Sequence, residues 1–214
     1  MSIEYTQPVK ARKWYEIWWE IWRNPGEASF LALLSESDHS TMRGFIWIAV
    51  VSLFVAIITG TTGTRTLQSF EPGIPGGVLA FGCALILTPI FGVIGLVISS
   101  GIFHGISRLL GGRGVWNDMV ICLAAVAAPS ELIGGVIGLL TILFIAIPGA
   151  FFIPWVLSFV FGIYAVILNI IAIKAAEKMG TGQAVLTYFL PVIIIGLLVL
   201  CAFLALIPAF RTTS

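Results

Sequence analysis

Residues 119–147 read MVICLAAVAAPSELIGGVIGLLTILFIAI, 29 residues in which Glu131 is the only charge. A straight helix of that length would measure about 44 Å, against about 30 Å for the hydrocarbon core of a bilayer. Something in it has to give. Pro129 removes a backbone donor, and Gly134, Gly135 and Gly138 permit close helix contact, so the run predicts one span, kinked or broken at Pro129, rather than two crossings. Outward from it lie four further apolar runs, at about 44–63, 78–102, 152–173 and 185–207, each long enough to cross. Thr88-Pro89 predicts a kink within the second.

The whole composition agrees. The chain has 214 residues, 59% of them hydrophobic and 10% charged, with a mean hydropathy of +1.08. That is more apolar surface than a soluble core of this size encloses. The fold class is therefore all-α, a polytopic membrane bundle of five transmembrane helices. From Trp14 to Arg23, Lys13, Glu16, Glu20 and Arg23 recur at helical spacing opposite Trp14, Ile17, Trp18, Ile21 and Trp22, which predicts an amphipathic helix at the headgroup layer. Trp14, Trp18 and Trp22 are its expected lipid-facing anchors. The organisation reads as an N-terminal segment over 1–43, a five-span domain over 44–207 and a short tail over 208–214.

Cation placement gives the orientation. Lys10, Arg12, Lys13, Arg23, Arg43, Arg108, Arg113, Lys174 and Lys178 fall on the side of the N-terminus, and only Arg65 and Arg211 on the other. By the positive-inside rule the N-terminus is cytoplasmic and the C-terminus outside, as expected for a prokaryotic cytoplasmic membrane protein. The first 43 residues lack the form of a cleavable signal peptide, so the first span is expected to serve as an uncleaved insertion signal. A net charge of +1 with interspersed signs argues against nucleic-acid binding.

The residues able to carry chemistry are few. Glu131 is costly to place in lipid and is expected to face a bundle interior or cavity, with Thr88 at similar depth as its partner and Ser130 re-satisfying carbonyls freed by the proline. Two readings stand: an ion- or proton-linked site, or a structural hydrogen bond between helices. Asn169 reads as an interhelical hydrogen-bonding residue. At the cytoplasmic end, His104, Arg108, Arg113 and Asp118 form a candidate interface for an anionic headgroup or a protein partner, although anchoring explains the arginines as well. Cys83, Cys122 and Cys201 lack metal or disulfide spacing and are expected to be buried thiols. No HExxH, paired acidic motif or Walker loop occurs, and Ser99-Ser100-Gly101 with His104 lacks the leading glycine of an intramembrane serine protease. The expectation is a protein without catalysis, cofactor or metal. Small residues along the third span permit homo-oligomerisation.

Trp18-Trp19-Glu20-Ile21-Trp22-Arg23-Asn24-Pro25 ahead of the first span, then Ser107-Arg108-Leu109-Leu110-Gly111-Gly112-Arg113-Gly114 and an apolar segment ending Ala127-Ala128-Pro129, resemble in their order the Yip-type domain family, named for Ypt-interacting proteins. The resemblance covers about residues 14–207. It implies a five-span, all-α membrane domain without established enzymatic activity, whose eukaryotic relatives are associated with vesicle trafficking and Rab-type GTPases. The chain lacks their long acidic N-terminal region and Asp-Leu-Tyr-Gly-Pro motif. Its short loops look more like the prokaryotic members. The expected role is membrane organisation or partner binding, and the alternative is a small ion or solute channel using Glu131.

Overall fold

The structure is a computed structural model and describes residues 12–70, 76–144, 147, 149–150 and 152–211. Among them are seven helices and no strand: α1 (Trp14–Arg23), α2 (Glu27–Leu34), α3 (Thr41–Phe70), α4 (Gly76–Leu109), α5 (Trp116–Phe144), α6 (Phe152–Glu177) and α7 (Thr181–Arg211). The five from α3 to α7 are long and apolar enough to span a membrane.

Local chemistry sets several ends. The Glu16 carboxylate accepts the Lys13 backbone N–H at 3.0 Å to start α1, and Asn24-Pro25-Gly26 ends it. The Ser40 hydroxyl accepts the Arg43 N–H at 3.2 Å to start α3. That helix continues to Phe70, beyond the end of the apolar run read at 44–63. α7 likewise runs past Pro208, where the sequence predicts a stop. The α4 C-terminus closes in a Schellman turn, with Gly112 N–H on Ser107 O at 2.8 Å and Gly111 at φ +93°.

Helix α5 is the axis, packed against α3, α4 and α6 along its length and against α1 and α2 near its start. It is continuous through Pro129, so of the two outcomes that the proline allows, a kink or a break, the break does not occur. The Ser130 hydroxyl donates to Val126 O at 2.6 Å, so polar compensation sits beside the missing N–H. Surplus length is accommodated at the N-terminal half, where Met119 to Val126 are all buried in protein. Residues sheathed by other helices need no hydrocarbon around them.

Much of that sheath is α1. Ile17, Trp18 and Ile21 are buried in the bundle, Trp18 edge-on to Trp47 at 5.8 Å. Trp22 stacks on Phe161 at 5.1 Å, and Tyr164 Oη donates to Trp22 O at 2.5 Å. The structure thus turns Trp18 and Trp22 toward protein, where periodicity alone predicts lipid, while Trp14 is half exposed and Trp19 is 68% exposed. Amphipathicity requires an apolar partner, and the protruding start of α5 supplies one. Of the cysteines only Cys122 is buried; Cys83 and Cys201 face outward from α4 and α7.

Candidate functional site

Two polar assemblies and one cleft stand out. The N-terminal ends of α3, α5 and α7 and the C-terminal ends of α4 and α6 share one end of the bundle with α1 and α2; it carries Arg43, Arg108, Arg113, Lys174 and Lys178, and we call it the basic end. At its centre lies Glu177, the last residue of α6, with no solvent exposure. Its Oε1 pairs with Nδ1 of His104 on α4, its Oε2 accepts the Gly114 N–H at 3.2 Å, and its carbonyl accepts the Arg113 N–H at 2.8 Å. Arg108 Nη2 donates to Gly114 O at 2.6 Å. Gln183 links the neighbouring turn, accepting Gly180 N–H at 3.0 Å and donating through Nε2 to Leu110 O at 2.8 Å. The 110–115 loop is thereby fastened to the α6–α7 turn, with its backbone so close that a Cβ at Gly114 would sit 1.9 Å from Ala176 O.

Of the four residues expected to form an interface here, His104 turns inward and Arg108 braces the loop. Arg113 is exposed through its side chain, and Asp118 is half-buried in the first turn of α5. They share one end of the molecule without forming a single pocket. What this end does present is Leu109, 86% exposed, beside exposed Arg113 and Val115.

The second assembly is centred on Glu36, also fully buried, in the α2–α3 connection. Arg12 Nε meets its Oε1 at 2.6 Å and Arg43 Nη1 its Oε2 at 2.8 Å. Arg12 also pairs with Glu20 on α1, and Arg43 donates to Arg12 O at 2.5 Å while lying over the Trp47 ring. One carboxylate therefore joins the approach to α1, the end of α2 and the first turn of α3. Lys174 and Glu27, 2.6 Å apart, tie α2 to α6 on the other flank.

Deeper, a cleft of about 440 Å³ lies between α4, α5 and α7, with Ile48 of α3 and Asn169 of α6 also lining it. Glu131 lines it, as its charge in an apolar run implies. The hydroxyl that reaches Glu131 is Ser52 of α3, at 2.7 Å to Oε2, and not that of Thr88. α4 lines the cleft with Phe91, Gly92 and Gly95 instead. Asn169 spends its amide N–H on Ala165 O of its own helix at 2.8 Å, leaving its carbonyl oxygen at the lining. At the end nearer the basic face, Phe103 and Tyr188 stack at 5.6 Å and hold α4 to α7. No group of three or more His, Cys, Asp or Glu suited to a metal occurs among the described residues.

Ser52, Glu36 and Glu177 are the residues that sequence reasoning passes over. Glu36 and Glu177 stand among polar neighbours and look like ordinary loop carboxylates; a serine in a span is unremarkable until a glutamate faces it.

A family model described as the Yip1 domain matches residues 19–203. No curated protein and no solved structure matches the chain.

Proposed function

We propose, for a chain that belongs to the Yip1 domain family, a non-enzymatic role in which the bundle anchors a partner-binding face at its basic end. The family is not known as an enzyme family, and the five apolar helices make the protein integral to a membrane. The basic end is the cytoplasmic one in this reading, with the N-terminus inside and the C-terminus outside a prokaryotic cytoplasmic membrane. The three-part division at residues 43 and 207 belongs to the same reading.

One observation carries it: the 110–115 loop is fastened by four hydrogen bonds to buried or capping groups, yet this end displays Leu109, Arg113 and Val115 outward. A loop held rigid while exposing an apolar residue beside a cation loses little entropy on docking, and anchors of this kind concentrate binding energy. Exposed Trp14, Tyr15 and Trp19 of α1 extend the same face toward the headgroup layer. The test is a photo-crosslinking residue at position 113 in living cells, against the same residue at Leu157 on the exposed side of α6. A discrete protein adduct at 113, lost in Leu109→Ser, is expected; lipid adducts alone at both positions would refute partner binding. Labelling of a cysteine at 113 by an impermeant maleimide in intact cells would refute the orientation.

The second reading, an ion or solute path through Glu131, draws on the cleft that reaches it. Flux in proteoliposomes that disappears in Glu131→Gln would carry it.

A further inference from the structure

We propose that the cleft between α4, α5 and α7 is a lateral binding site for a neutral, hydroxyl-bearing membrane amphiphile of the diacylglycerol kind. Its mouth lies on the lipid side: Phe91 is 64% exposed and Gly95 is exposed, and both line it. At about 440 Å³ it falls within the range of about 300 to 1,000 Å³ usual for small-molecule sites. Its walls are apolar enough for a chain, with Ile48, Leu123 and Ala127 beside Leu96 and the glycines of α4.

Its polar groups set the head. Ser52 occupies Glu131 Oε2, and the Asn169 amide N–H is used within α6. That leaves Glu131 Oε1 and Asn169 Oδ1 as acceptors, and the Tyr188 hydroxyl as donor and acceptor, without a protein partner among the described residues, on three residues that line the cleft. Groups of this kind, at a depth where lipid tails offer nothing, are matched by a ligand whose hydroxyl both donates and accepts. The lining contains no Lys, Arg or His. A phosphate would find no counter-charge there, so phospholipid headgroups, including the ammonium that accompanies a phosphate in phosphatidylethanolamine, do not fit. A free hydroxyl on a two-chain glycerol does: the hydroxyl meets the acceptors, and one chain lies along the α4 glycines.

Gly95 supplies the decisive variant. A Cβ added there meets nothing within 4 Å, whereas one at Gly92 would meet Ser52 Oγ at 2.5 Å. Gly95→Leu therefore adds an apolar side chain at the cleft lining from a position whose Cβ is free, leaves Gly92 at the α3–α4 contact unchanged, and replaces a helix glycine by a better helix former. The experiment uses the full chain in proteoliposomes of phosphatidylethanolamine and phosphatidylglycerol. These carry a trace of diacylglycerol, or in parallel phosphatidylglycerol, with the same diazirine acyl chain. Expected is diacylglycerol labelling of the 91–131 peptides about tenfold above the phosphatidylglycerol control, the ratio that one buried hydrogen bond supplies. The preference should vanish in Gly95→Leu and fall in Glu131→Leu. Equal labelling by both probes, unchanged in Gly95→Leu, would mean ordinary boundary lipid and overturn the assignment. Absence of label at the lining would mean that water or protein fills the cleft, and would overturn it equally. Disulfide-linked dimers of Gly95→Cys, in a background with Cys83, Cys122 and Cys201 replaced by Ala, would assign the cleft to a second copy and overturn it too.

Discussion

Replacing Gly114 by Ala adds one methyl group and should unfasten the basic end. The new Cβ would lie 1.9 Å from Ala176 O and 2.8 Å from both Ala176 C and Glu177 Cα, all backbone atoms that no rotamer change can move. Relief requires the loop to retreat by more than about 1 Å, which carries the 2.8 Å Arg113 N–H···O Glu177 bond and the 3.2 Å Gly114 N–H···Oε2 bond beyond hydrogen-bonding range. The first is a neutral bond, about 0.5 to 1.5 kcal/mol; the second goes to a buried carboxylate, about 1.5 to 3 kcal/mol. Together they set an expected loss of roughly 2 to 4.5 kcal/mol. Gly105→Ala is the control, because its Cβ meets nothing within 4 Å and an alanine within a helix gains up to about 1 kcal/mol. Reversible unfolding in mixed detergent micelles, followed by tryptophan emission, measures both. Equal stability of Gly114→Ala and the parent, with hydrogen exchange at Arg113 still protected, would refute the claim that backbone apposition at Gly114 holds the loop.

Glu36→Ala removes the carboxylate shared by Arg12 and Arg43 while Arg12 keeps Glu20 and both guanidiniums retain some solvent, an expected cost of about 1.5 to 3 kcal/mol; trypsin should then cleave at Lys13 and Arg23 in protein that is otherwise resistant, and unchanged digestion would count against the triad as a staple. Lys178 has φ +53°, a left-handed conformation at the end of α6 that is unfavourable for a residue with a Cβ by about 1 to 2 kcal/mol. Lys178→Gly should accordingly raise unfolding stability by about that amount, and a loss would show that the lysine side chain holds the turn through charge.

The five spans are legible in the sequence because crossing a bilayer depends on local length and apolarity, and 119–147 displays both. The amphipathic pattern of Trp14 to Arg23 is legible for the same reason, as periodicity. What that pattern does not convey is the identity of the surface its apolar face meets: lipid and the apolar start of α5 would serve alike, and only tertiary placement chooses. Glu131 announces itself as a charge within an apolar run. Its partner does not, because counting residues fixes a height in the membrane and leaves the rotation about each helix axis open, so Thr88 of α4 and Ser52 of α3 are equivalent until the helices are placed. Pro129 suggests a break, yet one missing N–H beside a back-bonding serine costs too little to interrupt a helix gripped by its neighbours. Glu36 and Glu177 carry no sequence signature at all, since burial of a carboxylate in a connection or at a helix end is made by residues far along the chain.

The Tyr164–Trp22 contact joins residues 142 positions apart. A ribosome adding about 5 to 20 residues per second takes roughly 7 to 28 s to cover that distance. For that interval Trp22 has been synthesised and its α6 partners Phe161 and Tyr164 have not, although Trp47 of α3 and the start of α5 precede them in the chain, so the Trp22 end of the apolar face is born without the protein that covers it. The water–lipid boundary beside the translocation site is the nearest medium that tolerates such a face. The cover over α5 is thus completed last at its Trp22 end, when α6 arrives to seal it.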